Sequence, residues 1–557
     1  GPMRDPQPMW RLWVAAAGIS AGWIVLNAGK PVHTDDAFTL YWARAIAPLP
    51  GETTVRYVNW IRFEEPLFAQ TQHYMPGWAL TLSAARRLLG EHATLFHWLQ
   101  WPFAAMFLGG SVLLGRTFGA PPWPTLLLCA TSAAFLIPSA SLLGDMPAAG
   151  LGVLGLALWR AAPSLTGRVA AALLLALAGQ MKQTTLVLYP LLLLDPAGRL
   201  IRKPRAWILP ALSLALAGYY PDVPPHDPER RSVLGHVLWI LQSFWSPVLI
   251  RPRLSYLAAT AGAVLLTPVA YAFSLAARRD PLRGRRFKAI ILGVLCIPAL
   301  AAAGFWKSYR RDGVSIAEVP ATANTLWFYL AIGLFVAWAA LAWRPLWRGR
   351  ARYLLIWLLL NAAGFVAAAP EPAVRHLIPA LPPLAMLFML DLYGSLGPRA
   401  ARAGVALAVA GNLWLGASLA RNDYVFARWC RFAAGSGAEH AAAKRLPLVT
   451  TGSWGLRYYV ERHGGRVLER STEPIADGAV ILCPERTDHR TLPAALRRRS
   501  RLLETLTCPP SRHWTLLLPL QTIPPARSVG AFHGGHLWFP YAFTRAPSET
   551  VLVLEIP

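Results

Sequence analysis

Charged side chains are scarce in this 557-residue sequence, in which Asp, Glu, Lys and Arg together make up 15% of the residues. Hydrophobic residues make up 55%, and the mean hydropathy is +0.38. An ordinary water-soluble domain carries about 25% charged residues, so this composition excludes that class. The sequence therefore predicts a polytopic membrane protein.

Acidic residues are scarcer than basic ones: 28 Asp and Glu stand against 54 Lys and Arg, which gives a net charge of +26. In a soluble protein this excess would suggest a nucleic-acid partner. Here the arginines fall largely in short loops between apolar runs, a pattern that indicates membrane topology and contact with anionic lipids. We therefore expect membrane lipids as partners, and no nucleic acid.

Cysteine is also rare, and the five cysteines show no metal-ligand spacing. Cys129 and Cys296 lie within apolar runs, whereas Cys430, Cys483 and Cys508 lie in the C-terminal part. At most one disulfide could form among these last three, and the sequence does not say which.

Long apolar runs are what the sequence has in abundance. The first is longer than the core of a signal peptide and has no convincing cleavage site, so we expect it to be a retained anchor. Thirteen spans are predicted in all: Trp10–Ala28, Leu95–Leu114, Pro124–Pro138, Met146–Leu158, Val169–Ala178, Thr184–Leu194, Trp207–Tyr219, Leu254–Ala276, Ala289–Phe305, Thr325–Trp343, Tyr353–Ala369, Leu377–Tyr393 and Val405–Leu419.

The basic loops predict the orientation of these spans. Four Arg-rich loops, 199–205, 278–288, 344–352 and 399–402, fall on one side, which the positive-inside rule makes cytoplasmic. Loop 30–94 and everything after about residue 421 then face outward. We expect loop 30–94 to carry two amphipathic helices that lie along the membrane surface, Asp36–Ala47 and Tyr74–Leu89.

The chain divides into two predicted domains, a membrane domain over residues 1–420 and a soluble α/β domain over residues 421–557. The second contains alternating strand-like and helix-like pieces. These are LPLVTT, GLRYYVERHGG, GAVILC, HWTLLLPL and VLVLEI.

Several ionisable residues gather at the outer ends of spans, and each has a structural as well as a functional interpretation. Asp35 and Asp36 follow the first span and could simply start a helix. Asp145 precedes Met146-Pro147 and could be an N-cap. Lys182 could be a snorkelling lysine and Arg375 a plain loop arginine, yet either cation could also reach a lipid headgroup phosphate.

Five sequence elements of the membrane part occur in a definite order and on one side of the membrane. They are Asp35-Asp36-Ala37, His73-Tyr-Met-Pro76-Gly-Trp, Ser139-Ala-Ser-Leu-Leu-Gly-Asp145-Met-Pro147, Gly179-Gln-Met-Lys182-Gln-Thr184 and Arg375-His-Leu-Ile-Pro379. As a set they resemble GT-C glycosyltransferases of the dolichyl-phosphate-mannose protein mannosyltransferase family, particularly bacterial relatives such as the lipid A aminoarabinose transferase. The chain departs from that pattern in the separation of His73 from Pro76 and in Asp36, where Glu is commoner.

The resemblance implies an inverting transferase that moves a sugar from a polyprenyl-phosphate donor to a hydroxyl acceptor. The acceptor could be lipid A or another glycolipid, a surface polysaccharide or a protein. The reaction needs a base for the acceptor hydroxyl and positive charge for the departing phosphate. Asp35 is the candidate base, with Asp36 as a second catalytic candidate. Lys182 and Arg375 are the candidates for the phosphate.

Further substrate-binding candidates lie on the same outer face: Arg56, His73, Tyr74, Asp145 and His376. Carboxylates at Asp35, Asp36 and Asp145 would suit magnesium or manganese. Members of the family that use polyprenyl-monophosphate sugars generally need no metal, so we expect neither a metal nor another cofactor.

Two other functional classes stay open from the sequence. A secondary transporter, or a component of lipid or polysaccharide export, would also be polytopic and basic. A transporter should show repeated halves and ionisable residues at mid-membrane, and neither is visible here. A non-catalytic scaffold with a periplasmic sensor domain is the other alternative. The favoured interpretation is a glycosyltransferase of the bacterial inner membrane with its active site and C-terminal domain in the periplasm.

Overall fold

Helices dominate the computed structural model of this chain. The structure describes residues 8–32, 35–48, 75–219, 247–277, 321–347, 349–368, 373–451, 454–468, 475, 477–485, 492, 494–508 and 549–557. The α-helices of the membrane part are α1 Met9–Asn27, α2 Asp35–Ile46, α3 Gly77–Leu89, α4 Ala93–Trp98, α5 Trp101–Phe118, α6 Pro122–Thr131, α7 Ala133–Ser139, α8 Asp145–Ala161, α9 Leu165–Met181, α10 Ile208–Ala217, α11 Pro247–Thr260, α12 Pro268–Ala277, α13 Ala321–Leu346, α14 Ala351–Ala368, α15 Leu381–Ser395 and α16 Pro398–Lys444.

Short segments of other helix types interrupt this series. Three 3₁₀ segments cover Gln183–Leu193, Pro204–Trp207 and Val374–Ala380, and a π segment covers Ala261–Leu265. The predicted span over 184–194 is therefore 3₁₀ rather than α-helical, and it contains Pro190, which removes a helical hydrogen bond.

Apolar helices support the membrane assignment. Among the described residues, four helices are long and apolar enough to cross a membrane, or six if each of two bent pairs counts as one span. Five shorter apolar helices accompany them. The total of thirteen stays a prediction, and the predicted span 289–305 lies outside the described residues.

Two predicted spans are broken rather than straight. The first bends by 61° between α6 and α7, where the Ser132 side chain accepts a hydrogen bond from the Ala134 amide at 3.2 Å and so starts a new helix. The second, predicted as one helix over 254–276, bends by 79°. Pro268, which has no amide hydrogen, restarts the chain as α12, and the preceding Thr267 amide donates to Asn412 at 3.0 Å.

The last membrane helix, α16, is 47 residues long and therefore about 70 Å in length, more than twice the ~30 Å hydrocarbon thickness. The predicted span ended at Leu419, but the helix continues without a break to Lys444 and ends at Arg445 in the left-handed conformation. The predicted domain boundary at residue 420 thus falls inside one continuous helix, which leads directly into the C-terminal part.

A five-stranded mixed sheet forms the C-terminal part and confirms its predicted α/β character. Its strand order is β2-β1-β3-β5-β4, with β1 parallel to β2 and β3, and β5 antiparallel to β3 and β4. The segment HWTLLLPL lies outside the described residues. The elements are β1 Leu448–Thr450, α17 Trp454–Arg462, β2 Arg466–Val467, β3 Val480–Pro484, α18 Ala494–Arg499, β4 Arg501–Thr507 and β5 Thr550–Glu555.

Strand β4 was not predicted, because its Leu and Arg composition shows no clear alternation in RLLETLT. The four cysteines in the described part of the chain, Cys129, Cys430, Cys483 and Cys508, are buried, and no disulfide joins any two of them.

Candidate active site

A small cavity lies where five segments distant in sequence meet. Its volume is about 40 Å³, which gives room for about three water molecules. Aromatic side chains and one carboxylate with two cations share its wall. It is lined by Phe38, Thr39 and Trp42 from α2; Met75, Trp78 and Ala79 at α3; Leu143, Gly144 and Asp145 before and at the start of α8; Met181 and Lys182 at the end of α9; and Arg375.

Asp145, Lys182 and Arg375, which the sequence proposed as separate candidates, come together at this wall. The Lys182 ammonium donates to Asp145 Oδ1 at 2.7 Å, and Arg375 Nε lies 3.9 Å from Asp145 Oδ2. Asp145 is 3% exposed, whereas the Lys182 and Arg375 side chains each keep 12% of their surface open. Two cations against one carboxylate leave this group of three with a net charge of +1, which suits an anionic ligand.

Local backbone structure explains how each member reaches the wall. Asp145 is the first residue of α8, where the helix dipole favours a carboxylate. Lys182 has extended backbone angles at the junction between α9 and the following 3₁₀ segment. Arg375 is the second residue of the 3₁₀ segment before α15. The predicted N-cap role of Asp145 is wrong, since Gly144 holds that position and makes no side-chain cap.

Asp36 is fully buried and turned toward the loop that precedes Asp145. Its Oδ1 accepts a hydrogen bond from the Leu142 amide at 2.7 Å. Three more side chains bind the same loop, and sequence reasoning missed all of them in this role: Lys30 donates to the Ala140 carbonyl at 3.2 Å, Trp78 to Leu142 at 2.5 Å and Gln100 to Leu143 at 3.1 Å. Of these three residues, the sequence motifs included only Trp78, at the end of the motif that begins at His73.

Two glycines allow close packing against the end of α9: Gly77 at the start of α3 and Gly144 just before α8. A Cβ atom on Gly77 would lie 2.6 Å from the Gln180 carbonyl oxygen, and one on Gly144 would lie 3.0 Å from that of Met181. Larger residues would therefore push α3 away from Lys182. This close packing encloses the cavity beside the Lys182 ammonium.

The remaining predicted site residues are described only in part or lie elsewhere. Asp35 is the first residue of α2, and its side chain lies outside the described residues, as do Arg56, His73 and Tyr74. His376 is half-buried, its ring centroid 6.5 Å from that of Phe365, and it is not part of the described cavity wall.

The sequence offers three further arginines of the predicted outer face for the phosphate, Arg251, Arg253 and Arg310. Arg253 is 2% exposed and donates to the Val366 carbonyl at 2.9 Å. The Arg251 side chain and Arg310 lie outside the described residues.

A second charged group joins α17 of the C-terminal part to helices α2 and α3. Glu91, between α3 and α4, accepts hydrogen bonds from Arg44 at 2.5 and 3.0 Å, from Arg86 at 3.0 Å and from the Tyr458 hydroxyl at 3.0 Å. Burial raises the pKa of Glu91, but the hydrogen bond and charge of Arg44 outweigh this, and the net pKa falls below its ordinary value. Burial and the Glu91 charge raise the pKa of Tyr458 to about 12.

A neighbouring contact strengthens the same junction. The Tyr41 hydroxyl on α2 donates to Glu461 at 2.6 Å, and Arg457 binds Glu461 at 2.9 Å while lying 4.9 Å from the centre of the Tyr41 ring. Helix α17 of the C-terminal domain is therefore bound to α2, the helix that lines the cavity with Phe38, Thr39 and Trp42.

The chain matches no family model and no curated protein. Among solved structures it is similar to ArnT from Cupriavidus metallidurans bound to undecaprenyl phosphate, with 14% identity, a TM-score of 0.46 and coverage of 98% of this chain and 97% of that one. It is also similar to the apo state of that ArnT, with 15% identity, a TM-score of 0.31 and coverage of 85% and 92%. Both are structures of the lipid A aminoarabinose transferase, a GT-C enzyme of the kind that the sequence motifs resemble. With both TM-scores below 0.5, these likenesses do not bear on the function of individual residues here.

Proposed function

We propose that this protein is an inverting glycosyltransferase of the bacterial inner membrane. It moves a sugar from a polyprenyl-phosphate donor to a hydroxyl group of a glycolipid, a polysaccharide or a protein on the periplasmic face. The observation that carries this proposal is the convergence of Asp145, Lys182 and Arg375 on one cavity wall beside helix α2, which begins at Asp35.

The two cations supply what the leaving group needs. As the bond from the anomeric carbon to phosphate breaks, negative charge develops on the phosphate oxygens, and preoriented cations stabilise it. The Lys182 ammonium and the Arg375 guanidinium are partly open to the cavity; Asp145 holds the first by a hydrogen bond and lies 3.9 Å from the second. A prenyl chain can stay among the apolar helices while its phosphate reaches these cations.

Helical periodicity connects Asp35 with the same cavity. Positions 35, 38, 39 and 42 are related by steps of three and four residues, so they share one face of α2. Phe38, Thr39 and Trp42 line the cavity. Position 35 therefore belongs to the cavity face, whereas the Asp36 carboxylate binds the Leu142 amide.

The chemistry then needs one base and one displacement. The Asp35 carboxylate takes the proton of the acceptor hydroxyl, and the acceptor oxygen attacks the anomeric carbon from the side opposite the phosphate. The glycosidic bond forms as the bond to phosphate breaks. The polyprenyl phosphate is the leaving group, and Lys182 and Arg375 stabilise its negative charge. A single displacement inverts the anomeric configuration.

Transfer by purified protein in lipid vesicles tests this function. Vesicles would receive radiolabelled polyprenyl-phosphate sugars and a mixed lipid and polysaccharide acceptor fraction, and the anomeric configuration of the product would be determined by NMR. We expect one donor to give labelled product of inverted configuration. Transport of the lipid-linked sugar across the bilayer with no new glycosidic bond would favour the export alternative instead.

A further inference from the structure

The loop that leads into Asp145 is held by side chains from four separate parts of the chain. Its carbonyl and amide groups at Ala140, Leu142 and Leu143 bind Lys30, Asp36, Trp78 and Gln100. Asp36 and Trp78 lie on helices α2 and α3, and Gln100 lies in the turn before α5. Lys30 differs, because it brings a buried charge whose partner lies at the other end of the sequence.

That partner is Asp423 on α16. The Lys30 ammonium binds Asp423 Oδ2 directly, across 393 positions of sequence, and the two side chains are 1% and 2% exposed. Removing two charges from water is costly, and a pair of well-packed apolar residues is often at least as stable. Stability alone therefore explains the pair poorly. The Lys30 ammonium also donates to the Ala140 carbonyl, and this contact indicates that the pair holds the loop in place.

We propose that Lys30 and Asp423 are positioning residues that set the place of Asp145 through the 140–144 loop. The pair fixes the loop at Ala140, Asp36 and Trp78 fix it at Leu142, and α8 then starts at Asp145 beside Lys182. This inference depends on the proposed function, since Asp145 matters there as the hydrogen-bond partner of Lys182, a cation of the proposed phosphate site.

The position of Asp423 extends the effect to the C-terminal domain. Asp423 lies on the stretch of α16 that continues to Lys444, and Leu482 of β3 packs against Gly437 of the same helix. The continuous helix α16 therefore connects the sheet to the 140–144 loop. Binding of α17 to α2 through Tyr41 and Glu461 provides a second connection.

The double variant Lys30→Met/Asp423→Leu separates positioning from stability, because it removes both buried charges together and leaves neither one unpaired. We expect a melting temperature near that of the parent and a kcat reduced roughly 10- to 100-fold, since small misplacement of a catalytic group has effects of this size. We also expect faster hydrogen exchange in the peptide 139–146. As a matched control, Asn412→Leu removes another buried contact from α16, to the Thr267 amide, and should leave kcat unchanged.

Parental kcat and parental exchange in the double variant would overturn the inference while the proposed function stands. A parent without transfer activity would refute the proposed function, and the exchange comparison alone would still decide the role of the pair. Should the double variant fail to fold, exchange in the parent decides: the inference requires the 139–146 peptide to exchange as slowly as α8, and rapid exchange there would contradict it.

Discussion

At the scale of single residues, the structure shows the contacts of three site candidates, Asp145, Lys182 and Asp36. Asp145 was expected either to cap a helix or to bind substrate, and it is a buried carboxylate that pairs with Lys182 and faces Arg375. Lys182 was expected either to snorkel or to bind phosphate, and its bond to Asp145 makes it part of a fixed group. Asp36 binds the Leu142 amide, in line with an orienting role. Sequence order placed these residues on one face of the membrane, but pairings between segments far apart could not be read from it.

Removing Lys182 should therefore affect both donor use and stability. Lys182→Met takes away a charge-assisted contact worth about 1.5–3 kcal/mol, which corresponds to roughly 10- to 150-fold in kcat/KM for the donor. It also leaves the buried Asp145 carboxylate with a weaker set of partners, so the melting temperature should fall. Lys182→Met/Asp145→Asn should restore the melting temperature but not kcat/KM.

Thermal unfolding and donor titrations on both variants check this prediction. Restored transfer in the double variant would show that Lys182 acts only as the structural partner of Asp145 and that phosphate binds elsewhere.

At the scale of elements, the sequence predicted the helices α2 and α3 and the α/β character of the C-terminal part. Helices α2 and α3 match the two predicted amphipathic stretches closely. The breaks before α7 and before α12 were not predicted, because hydropathy alone does not detect a Ser cap at 132 or the effect of a proline at 268 within an apolar run. The polar half of α16 escaped for the opposite reason, since the loss of apolar residues after Leu419 ended the predicted span but not the helix.

The junction of α17 with helices α2 and α3, which Glu91 joins, should weaken in acid. The folded pKa of Glu91 lies below its ordinary value of 4.5, so its stabilising contribution is complete above that value and is lost as the pH falls through the folded pKa. Glu91→Gln should remove this part of the pH dependence. It should also destabilise the protein at pH 7 by about 1.5–3 kcal/mol, the range for hydrogen bonds to a charged group.

Melting temperatures of parent and variant between pH 7 and pH 3.5 test this expectation. Glu485→Gln, at an exposed pair 3.7 Å from Arg497, is the matched control and should behave as the parent does. An unchanged acid response in Glu91→Gln would exclude Glu91 as the titrating group of the junction.

At the scale of the whole molecule, the Arg-rich loops and the outward-facing candidates predict that the cavity and the C-terminal domain are periplasmic. Alkaline phosphatase fused after Arg445, just past the end of α16, should therefore be active, whereas a fusion at Arg283 should be inactive. A fusion after Leu419 would interrupt α16 and is less suitable. Activity at Arg283 together with inactivity at Arg445 would reverse the orientation and place Asp35 in the cytoplasm, where a nucleotide sugar would be the expected donor.

The proposed mechanism depends on a base at the first residue of α2 and a phosphate site at Lys182 and Arg375. Asp35→Asn keeps the shape of the side chain, and Asn is accepted at the start of a helix about as well as Asp, so stability should change little. It cannot take the acceptor proton, and loss of a general base typically costs about 100- to 10,000-fold in rate. Asp36→Asn keeps an oxygen for the Leu142 amide and should cost less.

The most direct test is the rate of sugar transfer by the parent, Asp35→Asn, Asp36→Asn and Asp145→Asn in vesicles at matched melting temperature. We expect transfer to fall at least about 100-fold in Asp35→Asn, and by clearly less in Asp36→Asn. Near-parental transfer by Asp35→Asn, with loss of transfer in Asp36→Asn or Asp145→Asn, would show that the base is another residue. Full activity in all three variants would contradict the assignment of this cavity as the site of glycosyl transfer.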